Sequence, residues 1–225
     1  MKRMIVGVVI VGAVGVLAAQ TARSQGTVYL SNLGQPSVGS AAVGSDSWLA
    51  ETIITGNNPG GYALDSVQVA MAPASGSPSG FTVMLYSKST QASSGPIPGD
   101  SLGTLSGSST DPVNGGIYTY TAAGLTLSSS SDYFIVLTAG TPVASGAYAW
   151  SLGNPSPISS SGSWNATIAV YTSSDGLAWS GPSLGEPQFA LTATAVPEPE
   201  TLYLLGLPVL LFFTWRRWHA KAQGR

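Results

Sequence analysis

The sequence predicts an all-β body, an antiparallel two-sheet β-sandwich of jelly-roll or Ig-like kind. An N-terminal signal peptide and a single C-terminal transmembrane helix are expected to flank it. Three observations lead there. Short β-branched and aromatic runs recur, each bounded by Gly, Pro, Ser or Asn. No stretch between residues 26 and 195 keeps a helical apolar period beyond two turns. Each end of the chain joins an apolar run to Lys and Arg, whereas the body is nearly free of bases.

Taken in order, the runs read as strands at Thr27–Leu30, Trp48–Thr55, Tyr62–Met71, Phe81–Tyr86, Ile117–Thr121, Tyr133–Thr138, Tyr148–Leu152, Ala166–Thr172 and Gln188–Thr194. Tyr62 to Val69 alternates, with Leu64 and Asp65 on opposite faces, as a strand with one wet face should. Tyr133-Phe-Ile-Val-Leu137 is continuously apolar and fits a central strand buried on both sides. Turn signals separate the runs: Asn57-Asn-Pro-Gly-Gly61, Pro96-Ile-Pro-Gly-Asp100, Asn114-Gly-Gly116 and Asp175-Gly176. No repeat of fixed period is visible, which argues against a propeller or β-helix. About 170 residues are enough for one sandwich core.

Composition narrows the chemistry. The chain has 225 residues, 28 glycines and 15 prolines, but no cysteine. Disulfides, thiolate nucleophiles and Cys-ligated metals are excluded, so the fold must be held by its core. The single histidine, His219, lies close to the C-terminus, so neither a Ser-His-Asp triad nor a His-based metal site can form within the body. Between Gly26 and Ala195 stand eight acids (Asp46, Glu51, Asp65, Asp100, Asp111, Asp132, Asp175, Glu186) and one base, Lys88. That balance disfavours nucleic acid, whose phosphates need clustered Lys and Arg.

The ends carry the targeting signals. Residues 1–24 have the plan of a signal peptide: Lys2 and Arg3, the uncharged run Ile5–Ala19, then small residues. At the other end Pro197-Glu198-Pro199 precedes the uncharged run Leu202–Trp215, followed by Arg216-Arg217. Fourteen helical residues cover roughly 21 Å, less than the roughly 30 Å hydrocarbon core. Pro208 interrupts them, which membrane helices tolerate. The bases at both ends are cytoplasmic by the positive-inside rule, which leaves the body on the far side of the membrane.

The order Pro197-Glu198-Pro199, Leu202–Trp215, Arg216-Arg217 resembles the PEP-CTERM sorting signal, here residues 196–225. The resemblance implies an exported protein of Gram-negative bacteria that make extracellular polysaccharide. It also implies a partner: a membrane transpeptidase-like enzyme, exosortase, that recognises the signal and cuts near Pro197-Glu198-Pro199. The protein would pass through an inner-membrane intermediate to the cell surface, outer envelope or extracellular matrix. The body, 26–195, resembles a choice-of-anchor R domain from about Ser47. The resemblance rests on Gly61-Tyr-Ala-Leu-Asp-Ser-Val67, Gly80-Phe-Thr-Val-Met-Leu-Tyr86, Leu102-Gly-Thr-Leu-Ser-Gly107, Leu125–Leu137, Tyr148-Ala-Trp150, Ser173–Trp179 and Pro187–Leu191. It implies an extracellular β-sandwich and carries over no catalytic residue and no cofactor.

Other candidates for chemistry are few. Trp48 and Trp150 fall within strand runs and are expected in the core, whereas Trp164 follows the Ser-rich segment 159–163 and is the candidate glycan contact. Ser173-Ser-Asp-Gly-Leu-Ala-Trp179 resembles an Asp-box, but its adjacent Asp and Gly fit a tight turn with Trp179 packed beneath. Seven of the eight acids lie beside Gly, Ser or Pro or at strand edges and are expected in solvated turns. No D-x-[DN]-x-[DN]-G calcium loop is present.

Two functions follow as expectations: a non-enzymatic envelope or matrix protein sorted through its C-terminus, or a carbohydrate-binding module for exopolysaccharide. A reporter fused after Ala195 should be active only outside the cytoplasm. Cytoplasmic activity would contradict the reading of both ends.

Overall fold

Alternating apolar and polar side chains bury one face of each strand and wet the other, so the runs above have to pair into sheets. The structure, a computed structural model, describes residues 26–90, 95–107, 111–154, 158–183 and 185–198, with only the backbone of Ile168 and Ala169. The expected signal peptide and transmembrane helix lie outside the described residues. In chain order the strands are β1 (Thr27–Ser31), β2 (Ser37–Val43), β3 (Trp48–Ile54), β4 (Tyr62–Gly76), β5 (Thr82–Lys88), β6 (Pro98–Thr104), β7 (Asn114–Thr121) and β8 (Thr126–Leu127). There follow β9 (Asp132–Thr138), β10 (Gly146–Gly153), β11 (Ser159–Ser160), β12 (Asn165–Ser173), β13 (Ser180–Ser183), β14 (Glu186–Pro187) and β15 (Phe189–Ala195). Each of the nine expected runs is a strand, with ends displaced by a few residues. Among the described residues the helical content is one 3-10 turn, Val143–Ser145.

The strands form two antiparallel sheets. One runs β11-β1-β15-β4-β10-β14, with β2 on β10 and β7 and β8 on β4. The other runs β13-β12-β3-β9-β5-β6. One apolar cluster joins them: Leu30, Val67, Val69, Trp150, Phe189 and Leu191 from the first meet Leu49, Ile53, Val83, Leu85, Ile135 and Leu137 from the second. The arrangement is sandwich-like.

β4 is the longest strand and shows how register is kept. Leu64 pairs with Ala193 and Ser66 with Thr192, so Asp65 is an extra residue on one side of the ladder. Strict alternation from Leu64 would turn Val67, Val69 and Met71 outward, but the bulge resets the phase and all three are buried. The bulged Asp65 carboxylate accepts a hydrogen bond from Thr194 Oγ1 at 2.8 Å.

β9 is central and covered on both sides, as its continuous apolar run predicts. Its inner residues Tyr133, Ile135 and Leu137 join the shared core. Its outer residues Phe134 and Val136 form a second cluster with Ala50, Met84, Tyr86 and Tyr171, covered by Trp48, Ile97 and Trp179. The connection from β12 to β13 supplies part of that cover. There the Asp175 carboxylate accepts from the amides of Leu177 (2.8 Å) and Ala178 (3.2 Å) and from Ser173 Oγ. These hydrogen bonds, that of Leu177 first, hold its pKa below the ordinary aspartate range. Gly176 takes φ +77° with its α-carbon against the Trp48 ring, where a side chain would collide. Trp179 meets Tyr86 edge-on, 6.4 Å between centroids. This segment is a turn that packs two tryptophans, as its adjacent Asp and Gly indicate.

If the outer face of the six-stranded sheet is a true core, Phe134→Ala should cost about 3–5 kcal/mol in denaturant unfolding. A cost below about 0.5 kcal/mol would mean that this face is solvated.

Candidate functional site at the exit of the C-terminal tail

Pro197-Glu198-Pro199 begins where the sheet ends. β15 stays paired with β4 as far as Ala195 opposite Tyr62. One residue further, Val196 N–H donates to the Gly61 carbonyl at 3.0 Å. Asn58 Nδ2 donates to the Val196 carbonyl at 2.9 Å and also to the Gly61 carbonyl. Both backbone groups of Val196 are therefore held by the loop before β4. Pro197 and Glu198 are exposed. Pro197 has no amide hydrogen with which to continue the ladder. Pro199, Arg216 and Arg217 lie outside the described residues.

The holding loop is a tight turn. Gly61 N–H donates to the Asn58 carbonyl at 2.9 Å, closing Asn58-Pro59-Gly60-Gly61 with proline at the position whose φ it fixes. Gly61 has φ +72°, and a side chain there would strike the Leu127 carbonyl. Gly60 lies directly under the tail: a Cβ there would overlap the Val196 carbonyl oxygen. A shallow cleft of about 230 Å³, lined by Pro59 to Gly61 and Thr126 to Ser129, adjoins the turn.

Aromatic side chains support the turn from below, and here the structure corrects an expectation. Trp164 is 2% exposed and offers no face to a sugar. It stacks on Tyr29, with centroids 4.8 Å apart and planes 16° apart, and meets Tyr62 edge-on at 4.8 Å. The Tyr62 hydroxyl accepts from the Asn58 amide at 3.2 Å. The Ser-rich segment before Trp164 reads as exposed, but the ring itself fills the space beneath the tail exit. Trp150 is wholly buried and donates from Nε1 to the Gln188 carbonyl at 3.1 Å. Trp48 and Trp179 are half-buried over the second cluster.

The acids yield a second correction. Glu186 sits between Gly185 and Pro187 and is expected in a solvated turn, yet it is 1% exposed. Strand β14 pairs with the end of β10 and turns the carboxylate inward, where Asn32 Nδ2 donates to it at 3.3 Å. Glu51 in β3 is also 1% exposed, and neither carboxylate oxygen has a hydrogen-bond partner. Burial first, and the charge of Glu186 second, hold the Glu51 carboxyl well above the ordinary glutamate range. Lys88 does not reach them; it pairs with Asp132 at 2.7 Å on the surface. That ion pair borders a polar cleft of about 340 Å³ lined by Ser87, Lys88, Pro98 to Asp100, Gly176 and Leu177. Among the described residues no group of three or more His, Cys, Asp or Glu is placed to hold a metal ion. No helix among them is long and apolar enough to cross a membrane.

Comparison with known proteins gives no match to a family model, a curated protein or a solved structure.

Because the folded pKa of Glu51 is raised, its contribution to stability is fully present below the unfolded value near 4.5 and is lost as pH rises toward the folded value. The thermal midpoint should fall above pH 4.5, with a slope up to ~1.4 kcal/mol per pH unit from this group. Glu51→Gln should remove that component and be the more stable form at pH 8. A wild-type midpoint rising from pH 5 to 8, with Glu51→Gln parallel to it, would show Glu51 ionised in the fold.

Proposed function

We propose that this is an exported, non-enzymatic envelope or matrix protein whose segment 196–225 is a PEP-CTERM-like sorting signal processed by an exosortase. The observation that carries the reading is the exit geometry: Pro197 and Glu198 follow the last strand exposed, and Pro197 has no amide hydrogen with which to extend it. A processing enzyme needs an accessible, extended stretch, which the two prolines favour. In the sequence, the apolar run Leu202–Trp215 and Arg216-Arg217 follow at once, which suits temporary residence in a membrane. The body, a sandwich of jelly-roll or Ig-like kind resembling the choice-of-anchor R module, is the cargo that the signal delivers.

Two facts support a non-enzymatic role. The two buried acids, Glu51 and Glu186, are closed off from solvent and from any substrate. The one histidine lies outside the body. The alternative, aromatic recognition of exopolysaccharide, loses the ring it relied on, because Trp164 is buried.

Intact-mass spectrometry of envelope and secreted fractions tests the sorting reading. The mature wild type should end near Pro199–Thr201. Replacing Pro197-Glu198-Pro199 with alanines should leave a longer, membrane-retained form, and Arg216→Ala with Arg217→Ala should lower processing. An intact Arg225 terminus in both wild type and the triple-alanine variant would reduce the tail to an anchor.

A further inference from the structure

We propose that the Asn58–Gly61 turn is a stop that sets the upstream limit of cleavage in the tail. It holds the chain through Val196, one residue before the exposed Pro197. The inference rests on the sorting reading for its biological use, but its physical content is independent of that reading.

Cutting a peptide bond adds a nucleophile to the carbonyl carbon and breaks the C–N bond. With water, the hydroxyl goes to the carbonyl and a proton to the leaving amine. The scissile stretch must lie extended in the enzyme's cleft, with neither edge paired to another strand. Residues up to Ala195 fail this condition, because β4 holds them. Val196 fails it as well: its N–H is bound by the Gly61 carbonyl and its carbonyl by Asn58 Nδ2. Pro197 is the first exposed residue after the last of these hydrogen bonds.

The turn is built to hold this position. Asn58 uses one amide group to tie the tail to its own loop, joining residues 138 apart in the chain. Gly60 lets the Val196 carbonyl lie against the backbone. Tyr62, packed on Trp164 and Tyr29, accepts from the Asn58 backbone and steadies the loop from beneath. Cutting at or before Val196 requires local opening, and each hydrogen bond removed raises the open population about fivefold.

Two variants release the tail by different routes. Asn58→Ala removes the side-chain donor but keeps the backbone amide that Tyr62 receives. Gly60→Ala places a methyl against the Val196 carbonyl at a residue whose own φ accepts alanine. Because both act at the end of the last strand, the thermal midpoint should move by less than about 2 °C. Purified full-length protein is treated with a broad-specificity protease, and the products are weighed intact. The wild-type sandwich should be trimmed from its C-terminal side to a single terminus at Pro197 or Glu198. Both variants should be trimmed past Val196, at least about fivefold faster, without new cuts inside the sandwich. In producing cells the mature variants should show termini spread upstream of the single wild-type end.

Trimming of both variants to the wild-type terminus at the wild-type rate would overturn the stop. So would wild-type trimming that runs past Val196 without pause. If one variant loses the fold, the other decides. The two readings fail separately: an uncut wild-type tail in cells removes the sorting function, whereas the protease result alone decides the stop.

Discussion

The antiparallel pairing of β4 with β15 is the constraint on which the rest of this structure depends. It joins the first sheet's longest strand to its last and runs from Val69 opposite Phe189 to Tyr62 opposite Ala195. A two-residue slip would uncouple Leu191 and Ala193 from the core they fill, and a one-residue slip would turn them outward. The bulge at Asp65 lets one strand serve both the Tyr62–Leu64 half and the Val67–Met71 half of that core. The same pairing decides where the chain leaves. β15 must finish beside the turn that starts β4, so the tail emerges over Gly60 and under Asn58 rather than at an arbitrary point on the surface.

Apolar contact does nearly all the holding in a body without cysteine and with one base. The second cluster on the outer face of the six-stranded sheet is a consequence. A single inter-sheet core leaves Phe134 and Val136 exposed, and the chain covers them with Trp48, Trp179 and the Ser173–Trp179 turn. Against this background the buried Glu51 and Glu186 carboxyls are costly, and Lys88 is engaged elsewhere, with Asp132. Burial holds the Glu51 carboxyl well above the ordinary glutamate range, and Asn32 hydrogen-bonds Glu186. The burial of Glu51 links stability to pH, and neither acid is open to a ligand.

Strands made of β-branched or aromatic runs were legible in the sequence, β7 among them although mostly exposed; those rich in Gly, Ser and Ala were not. β3, β4, β9 and β15 each bury a regular set of β-branched or aromatic side chains, and pattern alone finds them. β2 (Ser-Val-Gly-Ser-Ala-Ala-Val) and β6 (Pro-Gly-Asp-Ser-Leu-Gly-Thr) are strands only because β10 and β5 offer a free edge, and their side chains are mostly exposed. Backbone pairing of that kind leaves no mark on composition. Glu186 was hidden for a related reason: Gly and Pro beside an acid suggest a wet turn, but here they form a two-residue strand pointing inward. At the tail, Pro197-Glu198-Pro199 could be read directly. Its holder could not, because Asn57-Asn58-Pro59-Gly60-Gly61 is a turn in its own right and nothing local shows that Asn58 has a second partner. Trp164 was misplaced by its serine-rich approach, which is exposed while the ring is not.

The central claim is that the hydrogen-bonded fold reaches Val196, with Pro197, which has no amide hydrogen, next in the chain. Residue-resolved hydrogen exchange on the full-length protein measures this most directly. Amides held in the ladder, such as Ala193, should be strongly protected, and the Val196 amide should remain protected through Gly61. A Val196 amide exchanging at the rate of an unstructured chain would place the end of the fold inside β15 and contradict the account.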